Sequence, residues 1–228
     1  MGGTNMTSIS VKAASVAAGV VVLAFLVLPS RDTTLAQSSN SVGGQAYGAF
    51  VQTSLGSLAE SPVATLDPTA GIADASAASI GVPGVVAATS LGSITTGVVG
   101  ENAASAQSSS TLQTVNILDG LITADAVAGL ASSASNGVAA TSNGAGSQFV
   151  NLLVNGIAVG DSPEPNRQIA LPGVGTVTLN EQTLRGDGQT ASGLTVNMIH
   201  VTLTNALTGA KTGEIIVGSA RSDAAFIR

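Results

Sequence analysis

Residues 194–205, LTVNMIHVTLTN, are the stretch that decides the fold. Their apolar and polar side chains alternate with the period of two that predicts a β-strand. The alternation changes phase half-way, because the apolar positions up to Met198 share one face and those from Ile199 onward share the other. A strand that alternates strictly needs a bulge, or a passage from one sheet to another, to change phase in this way. Both devices are common in β-sandwiches, so the stretch predicts that fold.

The neighbouring sequence supplies partners for this strand. Residues 214–220 (EIIVGSA) form a second strand, reached through the glycine-containing turn 206–213, and we expect the two strands to pair at the centre of the fold. Residues 175–181 (GTVTLNE) predict a further strand. Upstream, Asn155-Gly156 separates residues 149–154 from residues 157–159, which is typical of a hairpin with a type I′ turn.

The N-terminal half of the domain is divided by turn residues. Residues 45–54 (QAYGAFVQTS) predict a first strand, and the next fifty residues contain Pro62, Pro68, Pro83 and many glycines that exclude long helices. Residues 111–135 are open to two interpretations: Asp119-Gly120 indicates a hairpin, whereas the alanine-rich end would suit a helix. We favour strands. The prediction is therefore an all-β fold, an antiparallel β-sandwich-like domain of short strands preceded by an N-terminal export segment.

The composition fits this architecture and excludes several functions. The 228 residues include 28 Gly, only 2% aromatic residues, 44% hydrophobic residues and 9% charged residues. Such a chain is too apolar to be wholly disordered, and its small side chains let layers of strands approach closely. A net charge of −6 gives no basic surface for a polyanion, so we expect no nucleic-acid partner.

The N-terminus predicts export. Residues 13–28 (AASVAAGVVVLAFLVL) form an apolar run, and small residues at Thr34-Leu35-Ala36 suit a signal peptidase. We predict a signal peptide over residues 1–36, cleaved after Ala36; the alternative is an uncleaved N-terminal anchor, which would be the only contact with a membrane. A flexible linker over residues 37–44 and a single β-rich extracellular domain over residues 45–228 then follow, so we expect a secreted or cell-surface protein.

Three short motifs resemble known signals, and each is interpreted as a turn or a loop. Residues 171–175 (LPGVG) have Val where a sortase box needs Thr. Residues 163–165 (PEP) are followed by no C-terminal apolar segment of the kind that a sorting signal of that type needs. Arg185-Gly186-Asp187 spells an integrin-binding tripeptide, but a glycine-rich tight turn uses the same residues.

Few residues are available for catalysis or metal binding. Because the chain has no Cys, disulfides, thiolate zinc and thiol nucleophiles are excluded. His200 is the only histidine, and there is no Gly-x-Ser-x-Gly motif. It shares the polar face of its strand with Thr202 and Thr204, so we interpret it as a hydrogen-bonded structural histidine. We therefore predict no catalytic residues, no cofactor-binding residues and no metal ligands.

Carboxylates are the remaining alternative. A calcium clip or a glycosidase pair would draw on Asp161, Glu164, Glu181 and Asp187. No loop has EF-hand spacing, and a chain without Trp lacks the platforms that usually stack on sugars. Lys211 would suit an isopeptide crosslink only if buried, and we expect it at an exposed hairpin tip.

Four segments carry a resemblance to a known family. They are residues 120–125 (GLITAD), 172–182 (PGVGTVTLNEQ), 194–201 (LTVNMIHV) and 213–220 (GEIIVGSA). The chain from residue 46 to residue 223 resembles the choice-of-anchor P family of bacterial surface proteins. The resemblance implies exported proteins held at the cell surface by varied C-terminal anchors, with no established enzymatic role and with His200 as a framework residue. We expect no such anchor here, because no second apolar run of spanning length follows.

The leading hypothesis is a non-enzymatic secreted or cell-surface-associated bacterial protein with a structural or adhesive role. Its expected partners are cell-envelope or extracellular matrix components, with self-association as a further option. One alternative is a secreted hydrolase that uses carboxylates on polysaccharide. Another is a self-assembling surface-fibre subunit whose N-terminal strand, residues 46–53, pairs with a neighbour's sheet. Binding to a crystalline lattice would need regular Thr ranks, but only Thr176/Thr178 and Thr202/Thr204 stand out.

Overall fold

A computed structural model describes residues 40–228, which form fourteen β-strands and belong to one compact unit. The predicted signal peptide or anchor lies outside the described residues. The strands are β1 Ser41–Gln52, β2 Ser57–Thr65, β3 Gly71–Val82, β4 Val86–Val99, β5 Ala104–Ile117, β6 Ile122–Ser135, β7 Ala140–Asn143, β8 Gln148–Val150, β9 Leu153–Val154, β10 Ile157–Ala158, β11 Arg167–Leu171, β12 Gly175–Gly186, β13 Ala191–Thr204 and β14 Lys211–Ala225. Over this range no helix is long and apolar enough to cross a membrane.

The strands form two antiparallel sheets that pack as a sandwich, as predicted. Sheet A has the order β11-β12-β13-β14-β1-β2, and sheet B has the order β10-β9-β6-β5-β4-β3 with β7 and β8 also paired to β6. In sheet B the chain runs as a meander from β3 to β6. In sheet A the first strand pairs with the last, so the two ends of the domain are joined at the middle of a sheet.

Several predicted elements are confirmed. Strands β13 and β14 pair over nearly their full length at the centre of sheet A. Asn155 and Gly156 both have positive φ, 51° and 73°, as a type I′ turn between β9 and β10 requires. Residues 111–135 are strand, turn and strand, so the helical alternative was wrong. Ala124 and Ala131 of β6 are buried between the close-packed sheets, whereas Ala126, Ala128 and Ala134 are at least partly exposed.

The predicted linker over residues 37–44 was wrong at its C-terminal end. Residues 41–44 form the first part of β1 and pair with residues 222–225 of β14. Gly44 shows why this part is rich in glycine, because a Cβ atom at this position would overlap Thr95 Oγ1 of sheet B. The small residues that are typical of a linker are here a condition for the two sheets to approach each other.

The strands are longer than the turn residues indicated. Strand β4 spans 14 residues and contains Gly92 and Gly97, which we had expected to separate short strands. A Cβ atom at Gly97 would lie 2.5 Å from Leu66 Cδ2 and 2.8 Å from Val42 Cγ2. Glycine is therefore placed here by close packing against sheet A and not by a turn.

The phase change predicted in β13 is present, but it is caused neither by a bulge in that strand nor by a passage of the strand from one sheet to the other. Met198 and Ile199 are consecutive and both fully buried. The register to β12 is the same on either side, since Leu179 faces Ile199 and Glu181 faces Asn197. No residue is inserted in that pairing, and β13 stays in sheet A throughout.

The change of phase runs across the sheet as a line, which we call the inversion line. In sheet A it crosses Asn180 (φ 47°), Met198, Gly218 (φ 71°) and Gly48, at matching positions of four adjacent strands. Gly48 and Ala49 are both buried, as are Val217 and Gly218. A residue with positive φ rotates the backbone, so the next side chain points to the face opposite to the one that strict alternation would give it.

Sheet B has an inversion line of its own. Ser90 (φ 50°), Thr114 (φ 49°) and Asn151 (φ 52°) lie at neighbouring positions of β4, of β5 and of the link between β8 and β9. Asn151 Nδ2 donates a hydrogen bond of 2.6 Å to Asp125 Oδ2 of β6. Both sheets therefore have left-handed residues along their inversion lines, and in sheet B the register between β4 and β5 also shifts on either side of Thr89.

The two lines divide the interior into two parts. On one side, large aliphatic residues such as Ile117, Ile199 and Ile215 form the core. On the other side, buried hydroxyl residues lie among alanines, glycines and a few larger residues such as Leu66, Leu194 and Phe226. They form what we call the hydroxyl seam: Ser93, Thr95, Ser108, Ser110, Ser133, Ser135, Ser192 and Ser222.

The hydroxyl seam is hydrogen-bonded, and much of it joins one sheet to the other. Ser133 Oγ of sheet B lies 2.7 Å from Ser222 Oγ of sheet A. Ser110 Oγ donates to the carbonyl of Tyr47 at 2.8 Å, and Ser93 Oγ donates to that of Pro62 at 2.9 Å. Buried polar groups paired in this way avoid the cost of lost hydration.

Candidate functional site

The first candidate site is a cluster of polar side chains on the outer face of sheet A, which we call the histidine cluster: Glu181, Asn197, His200, Glu214 and Ser219. His200 Nδ1 lies 2.9 Å from Glu181 Oε2, and its Nε2 lies 3.5 Å from Glu214 Oε2. Three central strands, β12, β13 and β14, supply these groups.

The inversion line creates this cluster. Asn197 and His200 are three residues apart, so in a regular strand they would point to opposite faces. Because the phase changes between them, both point outward. Glu181 lies opposite Asn197 in the neighbouring strand and reaches across the line to His200.

A chain of hydrogen bonds holds the cluster together. Ser219 Oγ donates to Asn197 Oδ1 at 2.8 Å, and Asn197 Nδ2 donates to Glu181 Oε2 at 2.8 Å. Lys211 Nζ binds Glu214 Oε2 from the opposite side. His200 Nε2 is buried and has no hydrogen-bond partner among the described residues, although it faces Glu214.

The pKa values of the cluster follow from these contacts. The hydrogen bond with Glu181 raises the pKa of His200 and outweighs the opposite effect of burial. The same bond lowers the pKa of Glu181, while the bond from Lys211 is the main cause of the lowered pKa of Glu214. An imidazolium between two carboxylates is therefore the favoured state at mildly acidic pH.

The chemistry open to this cluster is limited. A serine nucleophile needs a base beside it, but Ser219 binds Asn197 and not His200. Both carboxylates already accept hydrogen bonds from neighbouring side chains. Within residues 40–228 no group of three His, Asp or Glu side chains is arranged to hold a metal ion. The arrangement is that of a cross-strand ion pair that spans the inversion line.

The other acidic candidates are dispersed. Asp187 binds its own turn, accepting the backbone N–H groups of Gln189, Thr190 and Ala191 and the Thr190 hydroxyl, and these bonds lower its pKa far below the usual range. Asp161 and Glu164 lie exposed in the loop before β11. The structure does not bring these side chains to His200.

The basic candidates occupy exposed positions. Arg185 lies near the end of β12 and forms an ion pair of 3.1 Å with Asp223. The Arg185-Gly186-Asp187 tripeptide therefore forms the end of this strand and the start of the turn that follows. Lys211 is exposed at the start of β14 and binds Glu214, which is not the buried setting that an isopeptide crosslink needs.

The second candidate site is a groove of about 650 Å³ along the outer face of sheet B. A line of side chains that face one another across four ladders crosses the groove, beginning with Ile72 at its rim. We call it the cross-strand row: Ile72, Thr96, Gln107, Ser132 and Asn143. Neighbouring strands set these side chains about 4.8 Å apart. Val98, Ser105, Ala134 and Thr141 form a parallel row beside it.

The groove is uncharged and open for hydrogen bonding. The side chains of Thr96, Gln107 and Ser132 make no hydrogen bond to the described part of the chain, so their donors and acceptors face outward. Ile72 and Val98 are exposed at 76% and 63% and give the groove an apolar rim. From residue 40 to residue 166 the sequence has eight acidic residues and no basic one, yet none of them lies in the row.

Neither a family model, nor a curated protein, nor a solved structure matches this chain. The resemblance to the choice-of-anchor P family therefore stays a prediction.

The sequence indicates these sites unequally. His200 and Glu181 were singled out by residue type, but their pairing depends on the register of β12 and β13 and on the inversion line. The cross-strand row was missed, since Thr96, Gln107 and Ser132 are ordinary surface residues until the strands are placed in order. Only the pairing of five strands makes them neighbours.

Proposed function

We propose that this protein is an exported, non-enzymatic adhesive component of a bacterial cell surface or extracellular matrix, and that it binds an uncharged polymer in the groove of sheet B. The cross-strand row is the observation that carries the proposal. It offers a line of hydroxyl and amide groups on a broad sheet face, without a charge to attract an ion.

The chemistry of the row favours a neutral polysaccharide. Hydroxyl and amide side chains exchange donors and acceptors with sugar hydroxyls. The rim residues Ile72 and Val98 offer apolar contact to the C–H faces of sugar rings. Because the row has no aromatic platform, each contact is weak, and retention relies on many copies acting together.

A non-enzymatic role is supported by the way the reactive groups are used. Glu181, His200 and Glu214 bind one another, and Asp187 binds its own turn. A hydrolase that uses carboxylates needs two of them facing a substrate cleft, whereas the groove of sheet B is lined by no carboxylate.

Binding is tested by retention of the purified full-length chain on insoluble neutral polysaccharides, with an acidic polysaccharide as comparison. We expect Gln107→Ala combined with Asn143→Ala to reduce retention at least tenfold. The matched control is Gln113→Ala, an exposed residue of the same strand outside the groove, which retains binding. Equal loss in both variants, or no retention of the unaltered chain, would contradict the proposal.

Export is tested separately in the native host. Mass spectrometry of the mature N-terminus in culture medium and in membranes distinguishes the two N-terminal hypotheses. A peptide that begins at Gln37 in the medium supports cleavage and release. An intact residue 1–28 segment in the membrane fraction supports the uncleaved anchor, and full-length chain in the cytoplasm alone would contradict export.

A further inference from the structure

Sheet A ends at strands β11 and β2, and sheet B ends at β3 on one side and at β7, β8 and β10 on the other. All of these except β3 have features that oppose pairing with another chain. Strand β11 has five residues and begins at Arg167, and β7, β8 and β10 have only four, three and two residues. Strand β2 has Glu60 and Pro62 within nine residues. Short length, charge and proline are the devices by which proteins keep edges from pairing with other chains.

Strand β3, Gly71–Val82, is an edge strand without these protective features. It is twelve residues long, contains no proline or basic residue, and has Asp74 as its single charge. It pairs with β4 on one side only. No hydrogen bond from the rest of the described chain reaches its outer edge, so this edge is a template for another strand.

We propose that β3 pairs antiparallel with β3 of a second copy of this chain, across a two-fold axis that joins two B sheets into one. The strand is self-complementary, because five of the seven residues 72–78 are Ala or Ser, so most facing positions hold small side chains. Registers centred on Ala75 or Ser76 set Asp74 opposite Ser76 or Ala78 of the second copy. Parallel pairing in register would set the two Asp74 carboxylates opposite each other, which is unfavourable.

The inversion of side-chain phase limits the extent of the pairing. Ala77 and Ile80 point inward while Ala78 and Ser79 are both exposed, so β3 changes face there as its neighbours do. Regular pairing with a second copy is confined to residues 72–78. A closed two-fold pair, and not an open fibre, is the expected product, because each chain has one such edge among its described strands.

The negative charge of this part of the chain predicts how self-pairing depends on salt concentration. Residues 40–166 contain eight acidic and no basic side chains, so two copies repel each other at low ionic strength. Dimerisation is therefore expected to strengthen as salt screens this repulsion. A basic partner strand would show the opposite dependence.

The pairing is tested by disulfide crosslinking, for which the chain is suited because it has no cysteine. Ala75→Cys and Ser76→Cys are each introduced into the full-length chain and oxidised mildly in nonionic detergent. A residue at the two-fold axis faces itself at a Cα separation of about 4.5–5.5 Å, within disulfide range. We expect one of the two variants to form a covalent dimer, with at least fivefold more than the Gln113→Cys control, an exposed residue of β5 away from this edge.

Equal crosslinking in all three variants would assign association to the N-terminal apolar run, and none in any would exclude the pairing; either result overturns the proposal. So does crosslinking of the β3 variants to a different protein only. Sedimentation velocity gives the second arm: Ser76→Glu should raise the dimer dissociation constant at least tenfold, while Ser76→Gln retains it. Polymer binding is measured with variants outside β3, so the two proposals fail independently.

Discussion

At the scale of the residue, His200 contacts acidic side chains on both neighbouring strands of the outer face of sheet A. It is held between Glu181 and Glu214 on two neighbouring strands, and its side chain is 19% exposed. Its contact with Glu181 crosses the inversion line. These contacts predict an effect of His200 on stability and on the pH dependence of stability.

Replacing His200 by Gln should lower the free energy of unfolding by about 1–3 kcal/mol near pH 5.5, because two carboxylates lose their common charged partner. The folded pKa of His200 is raised, so its stabilisation is complete below about pH 6.5 and is lost as pH rises through the folded value. Urea denaturation from pH 5 to pH 9 measures this. Parallel curves for the variant and the unaltered chain would contradict the assignment.

The contribution of Glu181 to stability depends on pH in the opposite direction. The folded pKa of Glu181 is lowered, so its stabilisation is present above about pH 4.3 and is lost as pH falls through the folded value. Thr202→Ala, on the same outer face of β13 as His200, is the control and should leave the pH profile unchanged.

Gly218 provides a second residue-scale prediction. It has φ +71°, and a Cβ atom there would lie 3.0 Å from Val127 Cγ1. Gly218→Ala should cost about 2–4 kcal/mol, from backbone strain together with overpacking. Gly209→Ala is the matched control, since Gly209 has φ +69° with nothing within 4 Å, and should cost about 1–2 kcal/mol. Equal losses in thermal unfolding would show that packing at the inversion line is not tight.

At the scale of the element, the hydroxyl seam lets long strands pack with small side chains. Thr95 of β4 and Ser108 of β5 share a buried hydrogen bond of 2.8 Å beside Gly44 of β1. Aliphatic residues of greater bulk would hold the sheets further apart. Many of the buried positions on this side are therefore hydroxyl residues, whereas those on the other side are mostly aliphatic.

A double-mutant cycle tests this pair. Thr95→Val and Ser108→Ala should each cost about 1–3 kcal/mol, because each leaves a buried hydroxyl without its partner. The double variant removes both polar groups and should cost less than the sum of the two single variants. Simple additivity in chemical denaturation would show that the two hydroxyls do not depend on each other.

At the scale of the whole molecule, the fold is closed by pairing its first strand with its last. Strand β1 lies between β14 and β2, so both its edges are occupied within the chain. A fibre built by donating residues 46–53 to a neighbour would have to break both ladders. The free edge available for self-association is β3.

Truncation tests this closure. A chain beginning at Gln45 lacks the first part of β1, including Val42, which is 4% exposed and whose N–H donates to the carbonyl of Pro68. Relative to a chain beginning at Gln37, it should lose at least about 2–4 kcal/mol of unfolding free energy. Equal stability would restore the linker interpretation of residues 41–44.

Local sequence was sufficient for the strands and for several turns. Alternation identified β12, β13 and β14, and the dipeptide Asn155-Gly156 identified a hairpin, because both signals depend on neighbours in the chain. The phase change at Met198 was also visible. Its cause was not, since left-handed residues in adjacent strands contribute only when the strands are aligned.

What the sequence by itself determined is an all-β chain of small residues with one histidine and no cysteine, and hence a narrow range of chemistry. The tertiary structure alone decided that residues 41–44 are a strand, that Glu181 and Glu214 flank His200, and that five modest side chains form one row. The physical reason is the same in each case. Alternation along a strand is a local property, whereas register, sheet order and the distance between sheets are set by residues far apart in the chain.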